Sequence, residues 1–432
     1  MRIHVIGAGP SGLSVAWELL NFTDHEVVIY DKKEDAGGSW WEPSTEYRDL
    51  HSHKLAFGSY VNFKSSLKEM GINWEDLFVR NYYDYSFIMK NMFLKDYLTL
   101  GDLYLKAMIN PARYKKISLE NATKTRMSKS GKSVLRAMTH QIDGVGWDTM
   151  SVFGLMGSFD HVSLSQQYTQ RVSGLVMGQA MKKALIAKGA KFEFNKTLET
   201  VEYGDDSYIG TFSDGTEIKD GMLVMCVDHK PALKLIKDNW GSDAAKQIGE
   251  SAYGAINVLL DYDQPIKIDD DLYISMHTPW KLYPVVLADG KTISCTMVTL
   301  TDEILKTDPE KFLKEVWKQL KNVGVPKPKN MRFSWGSTWT GEKWRINQSS
   351  GVLSVHGQVP YFGKCKKVAL CGLMSPRDTP YSSIEGGTEV GRTFCHQTFG
   401  TRKALKPLKL SHVLLFIIII LIAYGIIKNR KQ

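Results

Sequence analysis

Apolar and polar positions at the start of the chain follow two different periods. Residues 2–6 (RIHVI) and 26–30 (EVVIY) are short apolar runs with several β-branched side chains, which predicts two buried strands. Between them a glycine turn (GAGPSG) leads into residues 13–20, whose apolar side chains recur at helical spacing. The second run is followed by Asp31. This order predicts a strand–turn–helix–strand unit, which is typical of a parallel α/β sheet.

The rest of the chain mixes both patterns. Residues 222–227 and 367–371 are continuous apolar runs, as in strands that are buried on both faces of a parallel sheet. Residues 64–170 are richer in aromatic, Met and Lys side chains and predict mixed helix and loop. Further strands are predicted at 191–194, 197–203, 208–212, 254–262 and 292–300, and helices at 177–188, 308–320 and from 385. The predicted fold class is α/β.

One segment near the end of the sequence is apolar on every face. Residues 413–427 (VLLFIIIILIAYGII) carry no charge, and the eighteen residues from Leu410 would form about 27 Å of helix. That length is close to the hydrocarbon thickness of a thin bilayer, and a core helix would show a polar face. The pattern predicts a single transmembrane helix over residues 410–427, after a basic linker over residues 401–409. Because only five residues follow this helix, we expect residues 1–409 to lie on the cytosolic side of the membrane.

Composition and charge narrow the class of protein. With 432 residues, 43% of them apolar and 23% charged, the chain suits two or three folded domains and excludes a disordered, collagen-like or coiled-coil protein. The net charge of +9 is concentrated, because residues 401–432 hold seven basic side chains and no acid. The remaining body is close to neutral, which excludes nucleic acid as a partner on charge grounds. Residues 113–136 hold eight basic side chains and one acid, which predicts either a solvated loop or a patch that rests on anionic lipid.

The five cysteines show no metal-binding pattern. Their number is odd, and no C-x-x-C or Cys/His cluster of the zinc type occurs. Most of them lie in apolar runs, so we expect buried, reduced thiols and no bound metal.

The glycine turn after the first strand is a dinucleotide-binding motif in its usual context. Gly7 permits the tight turn, Gly9 allows a diphosphate to approach the backbone, and Gly12 lets the helix pack closely on the strand. The start of the helix presents free N–H groups and partial positive charge to the phosphates. Asp31, about twenty residues further on, can accept hydrogen bonds from ribose hydroxyls. These features predict a bound dinucleotide.

A second glycine pair, Gly37 and Gly38, follows in the sequence EDAGGSW. At this point the sequence resembles the flavoproteins of the amine-oxidase type, which include amine oxidases, protoporphyrinogen oxidases and carotenoid desaturases. Residues 173–203 resemble the family's middle segment, with Val201 at the position of a valine that touches the adenine. Residues 367–393, with VALCG and SIEGGTEVGR, resemble its C-terminal flavin motif, where a second helix start meets the flavin ring and the ribityl chain.

The resemblance implies FAD as the cofactor, in a Rossmann-like α/β domain that is discontinuous in sequence. The FAD-binding domain would comprise residues 1–63, 170–235 and 361–400, and a mixed α+β substrate domain would comprise residues 64–169 and 236–360. No cysteine occurs in the setting that attaches flavin covalently in some relatives, so we expect non-covalent FAD. The implied cofactor-binding residues are Gly7, Gly9, Pro10, Ser11, Gly12, Asp31, Lys32, Gly37, Gly38, Ser39, Trp40, Val201, Gly372, Ser383, Ile384 and Gly386.

Four residues are candidates for the catalytic side of the site. His51 and His53 are two residues apart and could act as a base near neutral pH, or be ordinary polar loop residues. By this resemblance, Asn257 occupies the position at which the amine oxidases of the family have a lysine. Ser383 stands where they have an aromatic residue, and Tyr381 lies two residues earlier.

These departures leave three functions open. The first is an oxidoreductase of the amine-oxidase type, in which hydride passes from an amine or a related donor to flavin N5. The second is a desaturase or porphyrinogen-type oxidase that acts on a lipophilic substrate. The third is a flavin-binding membrane protein without catalysis. The expected partners are a small-molecule substrate and a lipid bilayer.

Overall fold

The computed structural model describes residues 1–41, 55–82, 86–244, 246, 252–268, 271–347, 351–352 and 358–429. The strands are β1 (Arg2–Ile6), β2 (Glu26–Tyr30), β3 (Leu55–Phe57), β4 (Phe78–Asn81), β5 (Gln167–Gln170), β6 (Lys191–Glu193), β7 (Leu198–Tyr203), β8 (Tyr208–Phe212), β9 (Glu217–Ile218), β10 (Met222–Met225), β11 (Ala252–Tyr253), β12 (Ile256–Asp261), β13 (Tyr283–Val286), β14 (Thr292–Met297), β15 (Asn330–Phe333), β16 (Ser337–Trp339), β17 (Trp344–Ile346), β18 (Gly351–Val352) and β19 (Val368–Leu370). The helices are α1 (Pro10–Phe22), α2 (Val61–Glu69), α3 (Trp74–Leu77), α4 (Ser86–Asn91), α5 (Leu94–Ile109), α6 (Pro111–Tyr114), α7 (Leu119–Thr123), α8 (Lys129–Asp143), α9 (Val152–Val162), α10 (Gly174–Ala187), α11 (His229–Trp240), α12 (Asp271–His277), α13 (Asp302–Lys306), α14 (Pro309–Asn322), α15 (Ile384–Phe399) and α16 (Leu410–Asn429), with a 3₁₀ turn at Gly38–Trp40.

Five parallel strands form the central sheet, in the order β19-β10-β1-β2-β6. In the middle of the sheet, Ile3 of β1 pairs with Met222 on one side and with Val27 on the other. The apolar runs in β1, β2, β10 and β19 are nearly continuous because both faces of a parallel sheet are covered. The α/β fold class predicted from these runs is confirmed.

The two faces of this sheet are covered by different layers. On one face, Ile3 and Val5 pack in an apolar cluster with α1, α10 and α15. On the other face, Ile6 and Tyr30 pack in a second cluster with β7, β8, β9 and α11. Alternate side chains of a strand point to opposite faces, so one short strand contributes to both clusters. Both helices that begin with glycine-rich turns, α1 and α15, lie on the same face.

Two further apolar clusters lie outside the central sheet. The antiparallel sheet β13-β14-β12-β15 packs against α14, where Phe312 and Val316 are fully buried. Helices α5, α7, α8 and α9 share the other cluster. The predicted boundaries between the FAD-binding and substrate domains stay a prediction. The cysteines are free thiols, and all of them except the partly buried Cys226 are buried.

The end of the described chain is the helix α16 (Leu410–Asn429). Across the described ranges, no helix combines the length and the apolar character needed to cross a membrane. The predicted transmembrane helix over residues 410–427, and with it the single-pass anchor, is therefore not supported.

Candidate active site

The turn between β1 and α1 is shaped by glycines and fixed by Asp31. Gly7 has a φ of +109°, and a Cβ at this residue would lie 2.6 Å from the carbonyl oxygen of Cys226. A Cβ at Gly12 would overlap the carbonyl oxygen of Gly7. Asp31 is buried just after β2, and its Oδ2 accepts a hydrogen bond of 2.7 Å from Ala8 N. The turn therefore has the closed, glycine-dependent shape that the sequence motif predicts.

The second glycine pair packs directly against this turn. Gly37 N donates a hydrogen bond of 2.9 Å to Ala8 O. Both glycines of the pair have positive φ, +142° at Gly37 and +55° at Gly38. A Cβ at Gly9 would lie 3.3 Å from the Cα of Gly38, and a Cβ at Gly38 would overlap the Cα of Gly9. Backbone contact between the two segments thus depends on the absence of side chains.

Helix α15 begins beside the start of α1. Ser383 caps α15, because its Oγ accepts a hydrogen bond of 3.0 Å from Gly386 N. At the next residue along, a Cβ at Gly387 would lie 3.1 Å from the Cβ of Pro10, the first residue of α1. The two glycine-rich helix starts, which are far apart in sequence, therefore lie side by side.

The start of α1 fits the diphosphate of a dinucleotide. Gly9 is its N-cap residue and makes no side-chain cap hydrogen bond, and Pro10 is the first helical residue. The N–H groups of Ser11 and Gly12 in the first turn have no acceptor within the helix, and the helix dipole places partial positive charge there. The uncapped helix start supplies hydrogen-bond donors for the diphosphate of FAD. The nearby carboxylate of Asp31 supplies hydrogen-bond acceptors for a ribose.

A lysine lies beside the second glycine pair and faces two tryptophan rings. Lys33 Nζ donates a hydrogen bond of 2.5 Å to Gly38 O, and it lies 4.5 Å from the ring centroid of Trp335 and 5.3 Å from that of Trp41. Burial lowers the pKa of Lys33 to about 8. Lys32, which the sequence predicts as a cofactor contact, is exposed. Sequence reasoning misses Lys33 because nothing in the local sequence shows that Trp335 covers it.

Aromatic side chains line the region next to the start of α15. The hydroxyl oxygen of Tyr381 lies 2.8 Å from Nδ1 of His161, and both residues are buried. The ring centroid of Tyr381 lies 6.4 Å from that of Tyr60 and 6.3 Å from that of Phe57. Burial lowers the pKa of His161 to about 4, so its ring is uncharged near neutral pH. Burial also raises the pKa of Tyr60 above its usual range. These four side chains, called the aromatic wall below, carry no charge near pH 7.

Residues 10–397 match the model of the family described as flavin-containing amine oxidoreductases. This chain belongs to that family. It is an FAD-dependent oxidoreductase, as the sequence predicts. Non-covalent attachment of the FAD stays a prediction. No curated protein matches the sequence.

Solved structures show the same fold as this flavin oxidoreductase at low sequence identity. An oxidoreductase from Methanosarcina mazei superposes with a TM-score of 0.67 at 15% identity, covering 92% of this chain and 100% of that one. A putative protoporphyrinogen oxidase from Exiguobacterium sp. 255-15 has a TM-score of 0.65 at 13% identity, covering 92% and 98% of the two chains. A putrescine oxidase bound to putrescine has a TM-score of 0.65 at 14% identity, covering 93% and 99%.

The remaining predicted FAD contacts lie on the elements that surround the two helix starts. Val201 of β7 is buried in the same apolar cluster as Ile6 and Tyr30, which end β1 and β2. Gly372 is the second residue after β19, and its N–H donates a hydrogen bond of 3.2 Å to Ser375 Oγ. Ser39 and Trp40 complete the 3₁₀ turn after the glycine pair, and Ile384 is the first residue of α15. Direct contact of each of these residues with FAD stays a prediction.

Asn257 lies inside the antiparallel sheet of the flavin oxidoreductase. It is 2% exposed, and its Oδ1 accepts a hydrogen bond from Thr296 Oγ1 of the neighbouring strand β14. Its carbonyl oxygen accepts a hydrogen bond of 3.1 Å from Ser334 N. Trp335, which follows Ser334 in the sequence, packs edge-on against Trp41 with 5.4 Å between ring centroids. Asn257 is therefore connected to Trp41 through the backbone of Ser334 and the ring of Trp335, and its own amide links two strands.

The other three catalytic candidates have separate outcomes. Tyr381 lies in the aromatic wall, two residues before Ser383, and its catalytic role stays a prediction. His51 and His53 lie outside the described residues. Sequence reasoning misses His161, which belongs to α9 and is 220 residues away from Tyr381 along the chain.

Proposed function

We propose that this flavin oxidoreductase oxidises an amine, or a related CH–NH donor, at the aromatic wall. The observation that carries the proposal is the position of the wall: Tyr381 lies two residues before Ser383, the cap of the helix start that, by family resemblance, meets the flavin ring. Bound FAD supplies the acceptor for a hydride from the substrate carbon. The side chains of this chain bind the donor, orient it and control its protonation.

The wall favours the reactive form of an amine. The rings of Tyr60, Tyr381 and Phe57 are apolar and would exclude water from a donor placed against them. An environment of uncharged side chains favours a neutral amine over its ammonium ion, and the neutral form has the lone pair that supports loss of hydride from the adjacent carbon. His161 holds the Tyr381 hydroxyl at 2.8 Å and so fixes the orientation of that ring.

A second candidate is oxidation of a lipophilic donor, as in a desaturase or a porphyrinogen-type oxidase. Asn257 favours it, because a neutral amide that is hydrogen-bonded between strands supplies no base for an amine substrate. Solved structures with the same fold include a putative protoporphyrinogen oxidase and a fatty acid isomerase from P. acnes that produces CLA. The aromatic wall suits such donors through its apolar faces.

Anaerobic reduction of the bound flavin distinguishes these functions. Primary and secondary amines should bleach the visible flavin absorbance, and the rate of bleaching should increase with pH as more of the amine is neutral. Bleaching only by apolar polyenes or porphyrinogens would establish the second candidate instead. If no donor bleaches the flavin, the protein holds flavin without oxidising these donors.

The variant Tyr381→Phe tests the role of the wall. It keeps the ring and removes the contact with His161, so flavin reduction by the amine should slow by roughly tenfold, the effect of one lost orienting hydrogen bond. Tyr114→Phe makes the same chemical change on the short helix α6, which belongs to a different apolar cluster, and should leave the rate unchanged. Equal rates for Tyr381→Phe and the unaltered protein would remove Tyr381 from the site.

The location of residues 1–409 on the cytosolic side of a membrane also stays a proposal. It rests on the apolar sequence of residues 410–427. Protease protection of the protein in sealed membranes from expressing cells tests it, because a cytosolic body would be digested without detergent.

A further inference from the structure

Helix α5 presents an apolar stripe to solvent. Leu94, Leu98, Leu105 and Ile109 follow one another at intervals of four, seven and four residues, which places them on one helical face. Between 54% and 82% of each of these residues is exposed. The opposite face of the helix is also apolar and contributes Leu103 to the core. A helix of a soluble body buries its apolar side chains, so the exposed stripe indicates a surface that meets another apolar phase.

The stripe extends beyond the helix itself. Phe93, directly before α5, is 62% exposed, and Met89 of α4 is 68% exposed. These side chains continue the apolar surface past the N-terminal end of α5. We use the name α5 surface for Met89, Phe93, Leu94, Leu98, Leu105 and Ile109.

A buried carboxylate joins helix α5 to the start of α16. Asp160 of α9 accepts a hydrogen bond of 2.7 Å from the hydroxyl of Tyr104 in α5. The same carboxylate accepts hydrogen bonds of 2.6 Å from Ser411 N and 2.9 Å from Ser411 Oγ, at the beginning of α16. After Ser411, every residue of α16 from position 415 to 422 is exposed and apolar. The exposed apolar part of α16 is therefore attached to α5 through Asp160.

The segment that contains the α5 surface is strongly basic. Residues 86–136 contain eleven Lys and Arg residues and three Asp and Glu residues. Asp96 is buried and accepts hydrogen bonds from the backbone, and Asp102 pairs with Lys106 at 2.8 Å and with Arg126 at 2.6 Å. Other basic side chains of this segment are exposed: Lys90, Lys95, Arg113, Lys116, Lys124, Lys129 and Arg136. Exposed apolar side chains within a strongly basic segment match the apolar and the anionic layers of a lipid surface.

We propose that the α5 surface and the start of α16 rest together on an anionic lipid bilayer. The leucines of α5 enter the headgroup region, while the surrounding lysines and arginines contact lipid phosphates and carboxylates. A second copy of this chain is a poorer occupant, because pairing two α5 surfaces would bring two strongly cationic segments together. The proposal does not depend on the donor that the flavin oxidises or on a helix that crosses the membrane.

A fluorophore on α5 tests the proposal in the full-length holoprotein. Its signal reports on the α5 surface separately from any contact of α16 with the membrane. An environment-sensitive dye is attached to Leu98→Cys and, as a matched control, to Ile186→Cys, which replaces an exposed apolar residue of α10. Vesicles contain phosphatidylcholine either alone or mixed with phosphatidylserine. Retained flavin colour shows that both variants are folded.

The expected result is a blue shift of the dye at position 98, and not at position 186, with the phosphatidylserine vesicles. Replacing Arg113, Lys116 and Lys124 by Gln should weaken vesicle binding by at least tenfold. Vesicle-bound protein with no shift at position 98, or no vesicle binding at all, would overturn the proposal. A blue shift at position 98 in the absence of lipid that disappears on dilution would assign the α5 surface to a second copy of the chain.

Discussion

Glycine positions decide whether the cofactor site can form. Gly9 and Gly38 meet backbone to backbone, and α15 approaches the same place at Gly387. Each contact leaves no room for a β-branched side chain, so the approach of these segments requires glycine at the three positions. The glycine-dependent shape of the turns agrees with the sequence motifs, and contact of these residues with FAD stays a prediction.

Replacing Gly9 by Val should reduce the FAD bound per chain by roughly tenfold or more. The branched side chain would displace Gly38 and occupy the approach of the diphosphate to the start of α1. The ratio of flavin to protein absorbance after purification measures the effect. Gly101→Val, at an exposed position of α5 with open space around its Cβ, is the matched control. Full FAD content in Gly9→Val would contradict the placement of the diphosphate.

The neutral state of His161 should appear in the pH dependence of stability. Burial lowers its pKa to about 4, whereas in the unfolded chain the pKa is about 6.5. The unfolded state therefore takes up a proton first, and stability is lost as pH falls below 6.5. Between pH 7.5 and pH 5 this group should cost about 2 kcal/mol of unfolding free energy.

The variant His161→Asn removes this titration and keeps a polar atom near the position of Nδ1. Its urea midpoint should fall less than that of the unaltered protein between the same two pH values. His277→Asn, at an exposed position of α12, controls for the substitution itself. Parallel pH dependence in His161→Asn and the unaltered protein would show that His161 is not held neutral by burial.

Other residues of the site depend on contacts that no local pattern contains. Lys32 and Lys33 are neighbours in sequence, yet only Lys33 turns toward the glycine pair, because Trp335 and Trp41 cover that side. Tyr381, which precedes α15, is held by His161 of α9. Such partners become visible only when the fold has brought distant segments together.

At the scale of elements, buried ion pairs attach the segment after α15 to the FAD-binding layer. Arg402 Nη2 lies 2.6 Å from Glu18 Oε1 of α1 and 2.6 Å from Glu69 Oε2 of α2. Arg392 of α15 also contacts Glu18, with 3.0 Å between Nε and Oε1. Glu18 and Arg392 are fully buried, so the carboxylate depends on both cations for its stability.

Replacing Arg402 by Gln should lower the free energy of unfolding by about 2 kcal/mol, because it leaves the buried Glu18 with one cation instead of two. Lys403→Gln changes the charge equally at an exposed neighbouring position and should have little effect. Urea unfolding of the holoprotein, followed by tryptophan fluorescence, measures both. Equal midpoints for the two variants would show that the segment after α15 is not fixed by these ion pairs.

Prediction from sequence succeeds for elements with a strong periodic pattern. The strands β1, β2, β10 and β19 and the helices α10 and α14 lie where apolar runs or helical spacing indicate. The helices between residues 86 and 162 lie in a region predicted only as mixed helix and loop, and they pack around one shared apolar cluster that the sequence does not reveal. The apolar run of residues 410–427 predicts a helix correctly, but the transmembrane character is not supported.

For the whole molecule, the decisive feature is the meeting of two helix starts from opposite ends of the sequence. Ser14 Oγ donates a hydrogen bond of 2.9 Å to Thr388 O, across 374 residues of chain. Nothing in either motif alone shows that the other lies next to it. The resemblance to flavoproteins supplies that information in advance, and the geometry of α1 and α15 bears it out.

The most direct test of this arrangement is binding of FAD and FMN to the flavin-free full-length chain, followed by quenching of flavin fluorescence. A site that holds the diphosphate at Gly9 and the ribose near Asp31 should bind one FAD per chain. FMN, which lacks the adenosine half, should bind at least tenfold more weakly, a difference of about 1.4 kcal/mol or more. Equal affinity for FMN and FAD, or no binding of either, would contradict the convergence of α1 and α15 on one dinucleotide.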